Sequence, residues 1–241
     1  MVLTGFPYDE GTRINGGRVG GSAASMIFRT ALGQHEIYKK ESKMVVMDAG
    51  DIPKDLDLPA AHEALYEKNL RILRNPHSVC FAIGGSNDQS YPNVRALMNS
   101  RPSSRVAAIN IDAHFDVRPL KEGKAHSGSP FRLMLEDPLF QQNKSLFVEF
   151  SSKGASCSNE HYKYLKERDV KIVWLERDIR RHKVVEGGKY RTQAGQLMKQ
   201  LLDELAASCD AIFFSFDIDS VNASFMPGVS APSVVGGLTD E

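Results

Sequence analysis

Short apolar, β-branched runs, each closed by turn residues and followed by a stretch with helical spacing, leave this chain few folds to choose from. The runs are Val2–Phe6, Met44–Met47, Val79–Ile83, Val106–Ile111, Leu146–Phe150, Ile172–Leu175 and Ala211–Ile218. They are near-continuously apolar rather than alternating, so each reads as a strand covered on both faces. Helical periodicity falls between them at Ala60–Leu73, Glu160–Glu167 and Tyr190–Ala207, where Leu197, Leu201, Leu202 and Leu205 form one apolar stripe. Strand alternating with helix predicts an α/β fold of three layers, α/β/α, around a mostly parallel central sheet. No repeat, low-complexity tract or long linker interrupts the 241 residues, so the expectation is one domain over 1–241.

Charge narrows the partners. Thirty basic and thirty acidic residues cancel and no long run of like charge occurs, which argues against nucleic acid or a membrane surface and for a small molecule. Three cysteines, Cys80, Cys157 and Cys209, stand at spacings that fit neither a disulfide framework nor a Cys-based zinc site. No stretch reaches eighteen apolar residues and the N-terminal segment lacks an apolar core, so a reducing, cytoplasmic setting is expected.

In open parallel sheets, functional groups collect beyond the carboxyl ends of strands. Three of the runs end in polar text: Gly84-Gly85-Ser86-Asn87-Asp88, Asp112-Ala113-His114-Phe115-Asp116 and Asp217-Ile218-Asp219. If the strands continue extended, Asp112, His114 and Asp116 point to one side, as do Asp217 and Asp219. Four carboxylates and one imidazole then converge, and such a set would repel or protonate without cations. The oxygen-rich composition suits Mn²⁺ better than a structural zinc. Each motif alone also reads as an ordinary solvated turn.

These motifs resemble the arginase, agmatinase and formiminoglutamase superfamily, whose signatures are Gly-Gly-x-His, Asp-Ala-His-x-Asp and Ser-x-Asp-x-Asp with a following Pro-Gly turn. Here they stand as Gly84-Gly85-Ser86-Asn87, Asp112 to Asp116 and Ser215 to Asp219, with Pro227-Gly228 after them. The opening Gly5-Phe6-Pro7-Tyr8-Asp9-Glu10-Gly11, with Asn15 and Gly16-Gly17-Arg18, is similar to the family's first strand and loop. His114-Phe115-Asp116-Val117-Arg118 and His126-Ser127-Gly128-Ser129-Pro130-Phe131-Arg132 resemble the formiminoglutamase branch. The resemblance implies two Mn²⁺ per chain. One would be held by Asn87, Asp112, Asp116 and Asp217, the other by Asp112, His114, Asp217 and Asp219.

It further implies His126 as proton shuttle and Arg118, Arg132 and Ser129 as contacts for an acidic substrate, formiminoglutamate, split to glutamate and formamide. A homo-oligomer, trimer or hexamer, is implied as well. Two departures stand out. Asn87 replaces the family's histidine, a weaker donor; Asp88 is an alternative oxygen whose adjacent position points it elsewhere along a continuing strand. The text stops at Gly236–Glu241, before the last strand and helix of the family, which reads as a truncated C-terminal end. Rival readings are an arginase or agmatinase-type guanidino hydrolase and a non-catalytic binding or regulatory relative. His35, His62, His77, His161 and His182 lack ligand spacing and read as structural.

Overall fold

The computed structural model describes residues 1–34, 45–180, 183–186, 189–192 and 194–239. Two compact units carry them: residues 1–102 with 119–130, and residues 103–118 with 131–241.

The first unit runs β1 (Val2–Phe6), α1 (Glu10–Ile14), α2 (Ala24–Gln34), β2 (Met47–Asp51), α3 (Leu58–Leu73), β3 (Cys80–Gly84) and α4 (Ser90–Ser100). Its sheet is parallel with order β2-β1-β3. Helix α3 starts where Asp57 accepts a hydrogen bond from the Ala60 N–H at 2.9 Å and Pro59 occupies the first turn. Its buried Leu58, Ala61, Leu65 and Asn69 recur at helical spacing. The first three pack with Phe6, Tyr8 and Ile52 as this unit's core. Strand β2 begins at Met47, where the Met44–Met47 run was expected to end, and Met44 lies outside the described residues. Polar Asp48 and Asp51 are strand residues because β1 supplies the ladder and Arg29 binds both carboxylates.

The second unit contains β4 (Val106–Ile111), α5 (Pro130–Glu136), α6 (Pro138–Gln142), β5 (Leu146–Ser152), α7 (Asn159–Lys166), β6 (Lys171–Trp174), β7 (Lys183–Glu186), β8 (Lys189–Thr192), α8 (Ala194–Ala206) and β9 (Ala211–Phe216). Four strands form a parallel sheet, β6-β5-β4-β9. Every residue of β4 is buried, as its continuous apolar text requires. Ala107, Ile109 and Ile111 of β4 join Val148 and Phe150 of β5, with Leu201 and Leu205 of α8 in the same cluster. Among the described residues strand β9 ends this sheet, and Phe214 and Phe216 are about half exposed.

The mostly parallel α/β architecture is the expected one, its parallel strands falling in one sheet per unit, with the antiparallel pair β7–β8 besides. The helix read over Tyr190–Ala207 begins at Ala194, because Lys189–Thr192 pairs antiparallel with Lys183–Glu186. His35 and His182 lie outside the described residues. Leu65→Ala, at a position with no exposure, should lower unfolding free energy by ~2–5 kcal/mol, measured by urea titration.

Candidate metal centre

Strands β4 and β9 pair in parallel with Ile111 opposite Phe216, so the residues that follow each strand emerge side by side. The Asp217 N–H donates to the Ile111 carbonyl at 2.9 Å, and the Asp112 N–H to Phe150 at 3.1 Å. The strands then stop, and the chain bends. Asp112 Oδ1 accepts from the His114 N–H at 2.7 Å, and Asp217 Oδ1 accepts from the Asp219 N–H at 3.0 Å. Both are Asx-type turns in which a carboxylate replaces the next ladder bond. Convergence therefore comes from two matched turns and not from the extended alternation expected of the sequence. Asp116 takes a left-handed backbone, φ 46°, a conformation aspartate tolerates better than most residues.

Two overlapping donor sets result. Asp112, His114 and Asp219 form one and Asp112, Asp116 and Asp217 the other, each with ligand atoms within 4.8 Å of one another. Among the described residues only Asp112 belongs to both. His114 Nδ1 stands 3.1 Å from Asp219 Oδ2 and 3.4 Å from Asp112 Oδ1.

Burial, followed by repulsion from Asp116, Asp219 and Asp217, drives the Asp112 carboxyl well above the usual carboxylate range. Burial and the charges of Asp219 and Asp116 push Asp217 up to about 8. For His114, burial pulls downward, but the bond to Asp219 and the surrounding carboxylates outweigh it, and the imidazole is raised. Asp219 Oδ1 is buried with no hydrogen-bond partner among the described residues. Such a pocket of anions with an orphaned oxygen fits divalent cations, and its oxygen donors with one imidazole nitrogen fit a harder ion than structural zinc.

Of the remaining sequence-derived residues, Asn87, His126 and Ser129 belong to the first unit and Arg118 and Arg132 to the second. Asn87 opens a 3₁₀ turn in the first unit, and its Oδ1 accepts from Ser90 Oγ at 2.7 Å. Asp88 is fully engaged: one oxygen accepts from Ser86 Oγ and the other meets His62 Nε2 at 2.5 Å. Asp88 is thus held by Ser86 and His62, and its buried pair with His62 braces the Gly-Gly loop. A Cβ on Gly85 would stand 2.1 Å from the Tyr8 carbonyl oxygen, which explains the second glycine. His126 is buried; its Nε2 faces the Pro119 carbonyl at 3.0 Å, and its Nδ1 accepts from the Gly128 N–H at 3.1 Å. Ser129 Oγ holds that turn, donating to the His126 carbonyl and accepting from the His126 N–H.

In the second unit Arg118 is exposed, while Arg132 donates from Nε to the Val117 carbonyl and stacks on Tyr164. Burial, then the charges of Arg118 and Arg132, hold His161 below its ordinary value. Two residues that sequence reasoning passed over are Asn110 and Glu149, fully buried polar side chains inside β4 and β5. Their signal was a polar letter within an otherwise apolar run.

The family model described as the arginase family matches residues 1–241. The formimidoylglutamase of Staphylococcus carnosus is 31% identical over 238 residues, covering 98% of this chain and 70% of that protein. The formimidoylglutamase of Chromobacterium violaceum is 30% identical, with 98% and 71% covered. Among solved structures, Trypanosoma cruzi formiminoglutamase crystallised with Mn²⁺ is 36% identical with a TM-score of 0.80, covering 98% of this chain and 75% of that one.

The raised groups set a pH dependence. An aspartate in the unfolded chain titrates near ~3.9, whereas Asp217 titrates at about 8 in the fold. The folded state therefore holds more protons between those values, and stability contributed there falls as pH rises. The raised His114 acts with the same sign, losing its contribution as pH climbs through its folded value. In chelator, Tm should fall steadily from pH 5 to pH 8, and saturating Mn²⁺ should flatten that slope because cations take the place of protons. A metal-free Tm that climbs over this range contradicts the electrostatic account.

Proposed function

The chain belongs to the arginase family, and on that footing we propose that it is a binuclear manganese hydrolase that cleaves N-formimino-L-glutamate to L-glutamate and formamide. The single observation that carries the reading is the pair of donor sets sharing Asp112. Asp112, His114 and Asp219 would hold one Mn²⁺; Asp112, Asp116 and Asp217 the other. Asp217 as a second bridge and Asn87 as a further ligand rest on the family motif alone. Two bound ions supply a lowered water pKa and polarisation of the reacting carbon.

In the reaction a water oxygen bonds to the formimino carbon and one of its protons passes to the imino nitrogen, which becomes the formamide NH2; the C–N bond to the glutamate nitrogen breaks, and that nitrogen takes the other proton. By the family motif His126 would give it; here its Nδ1 accepts the Gly128 N–H and its Nε2 faces the Pro119 carbonyl, so the ring would have to leave both partners to act. Ser129 keeps the turn that presents this imidazole. Arg118 follows Asp116 by two residues on an exposed loop, and Arg132 clamps the adjacent Val117 carbonyl. Two cations joined through Val117 would give an acidic substrate a basic surface and repel a guanidinium.

No helix among the described residues is long and apolar enough to cross a membrane, which accords with a cytoplasmic enzyme acting on a small molecule. A homo-oligomer, trimer or hexamer, completes the reading and is measurable by light scattering.

Elemental analysis after Mn²⁺ loading should give two ions per chain. Asp112→Ala should lose both ions and Asp219→Ala one; full occupancy in Asp112→Ala would sink the shared-ligand reading. Arg118→Asn should lower kcat/KM for formiminoglutamate by ~10-fold or more, as loss of a charge-assisted hydrogen bond does. Formamide, urea and ammonia assays with formiminoglutamate, arginine and agmatine separate this substrate from its rivals. Asn87→His should tighten the weaker of two Mn²⁺ sites, and identical titrations of both proteins would remove Asn87 from the ligand set.

A further inference from the structure

Asn110 and Glu149 stand opposite each other in the parallel ladder of β4 and β5, and neither has any exposure. The Asn110 Nδ2 donates to Glu149 Oε2 at 3.0 Å and to Asp112 Oδ2 at 3.3 Å. Burial, with a further push from Asp116, raises the Glu149 carboxyl well above its usual range, as it does Asp112; once cations take the place of protons both are acceptors only, and the amide nitrogen is the group that suits them. Asn110 Oδ1 and Glu149 Oε1 have no hydrogen-bond partner among the described residues. The pair therefore makes no other hydrogen bond with its side chains here than the one that runs to Asp112.

A carboxylate buried in a sheet otherwise built of Val106, Ala107, Ile109, Val148 and Phe150 is a poor way to fill a core, since an apolar side chain of equal volume is as good or better for stability. Its use must be sought in what it orients. Asp112 already gives Oδ1 to the His114 N–H, and the Asn110 amide fixes the direction of Oδ2. Glu149 in turn fixes Asn110, which could otherwise rotate its amide away.

We infer that Glu149 is a positioning residue, acting through Asn110 to hold the shared ligand Asp112 in the orientation that two cations require. The inference rests on the metal-binding reading above. Partners one bond removed from a ligand set its orientation, and their loss weakens metal binding by ~10–100-fold.

A Mn²⁺ titration followed by electron paramagnetic resonance and calorimetry, with Tm measured alongside, tests it on wild type, Glu149→Met, Asn110→Ala and the double variant. Glu149→Met keeps the volume and removes both the charge and the acceptor. Its Mn²⁺ affinity should drop ~10-fold or more while Tm without metal stays level or rises. In the Asn110→Ala background the same change should add less than ~2-fold, because the route to Asp112 is already cut. Undiminished affinity in Glu149→Met overturns the inference, and so does full additivity with Asn110→Ala, which would mean that Glu149 attracts the cation by its charge alone. Should Glu149→Met not fold, Glu149→Gln gives the same cycle at smaller amplitude: a loss of ~3-fold in the wild-type background and none beside Asn110→Ala, a weaker neutral acceptor replacing a charged one. Wild type that binds no Mn²⁺ defeats the functional reading itself, an outcome distinct from variants that bind as tightly as wild type.

Discussion

The parallel pairing of β4 with β9 is the constraint on which the site depends. With Ile111 opposite Phe216, Asp112 and Asp217 leave their strands at the same level, and each folds back to accept the N–H two residues on. A slip by one residue would turn one aspartate to the opposite face and dissolve both donor sets. The apolar burial of β4 thus does more than stabilise the sheet. It fixes the register, and the register fixes the chemistry.

That placement works against the fold. Four carboxylates gathered at two strand ends are stable only when protonated or neutralised, and the raised Asp112 and Asp217 record this conflict. Residues that suit a core, such as Ile109 and Val148, stand one position away from Asn110 and Glu149, which do not. The sheet is locally inconsistent where function is concentrated and consistent elsewhere, a pattern expected of natural active sites.

Much of this was legible in the text. Val2–Phe6 and Val106–Ile111 have the bounds read from their apolar runs, and the alternation of strand and helix led to a parallel sheet. Asp112, His114, Asp116, Asp217 and Asp219 stand out in the sequence because acidic residues follow buried runs, and the structure gathers them into two sets. The means of convergence was not legible, since an Asx turn and an extended strand share the same letters. Strand β2 escaped because Asp48 and Asp51 are held by pairing with β1 and by Arg29, both remote in sequence. Asn110 and Glu149 escaped for a similar reason: each looks like a blemish in its own strand, and only the cross-strand register makes them a pair. The burial of His126 was not legible either, because it comes from the turn that Ser129 closes and not from any apolar run around it.

Strand β9 has β4 on one side and no strand on the other among the described residues, with Phe214 and Phe216 about half exposed. Its six residues, Ala211-Ile212-Phe213-Phe214-Ser215-Phe216, include no charge, no proline and no glycine. Natural edge strands are commonly guarded by such residues, and hexapeptides without them are the building blocks of cross-β stacks. Stability and colloidal behaviour thus meet in one strand: the segment that delivers Asp217 has the composition of a cross-β former, and its pairing with β4 is what keeps that composition in register.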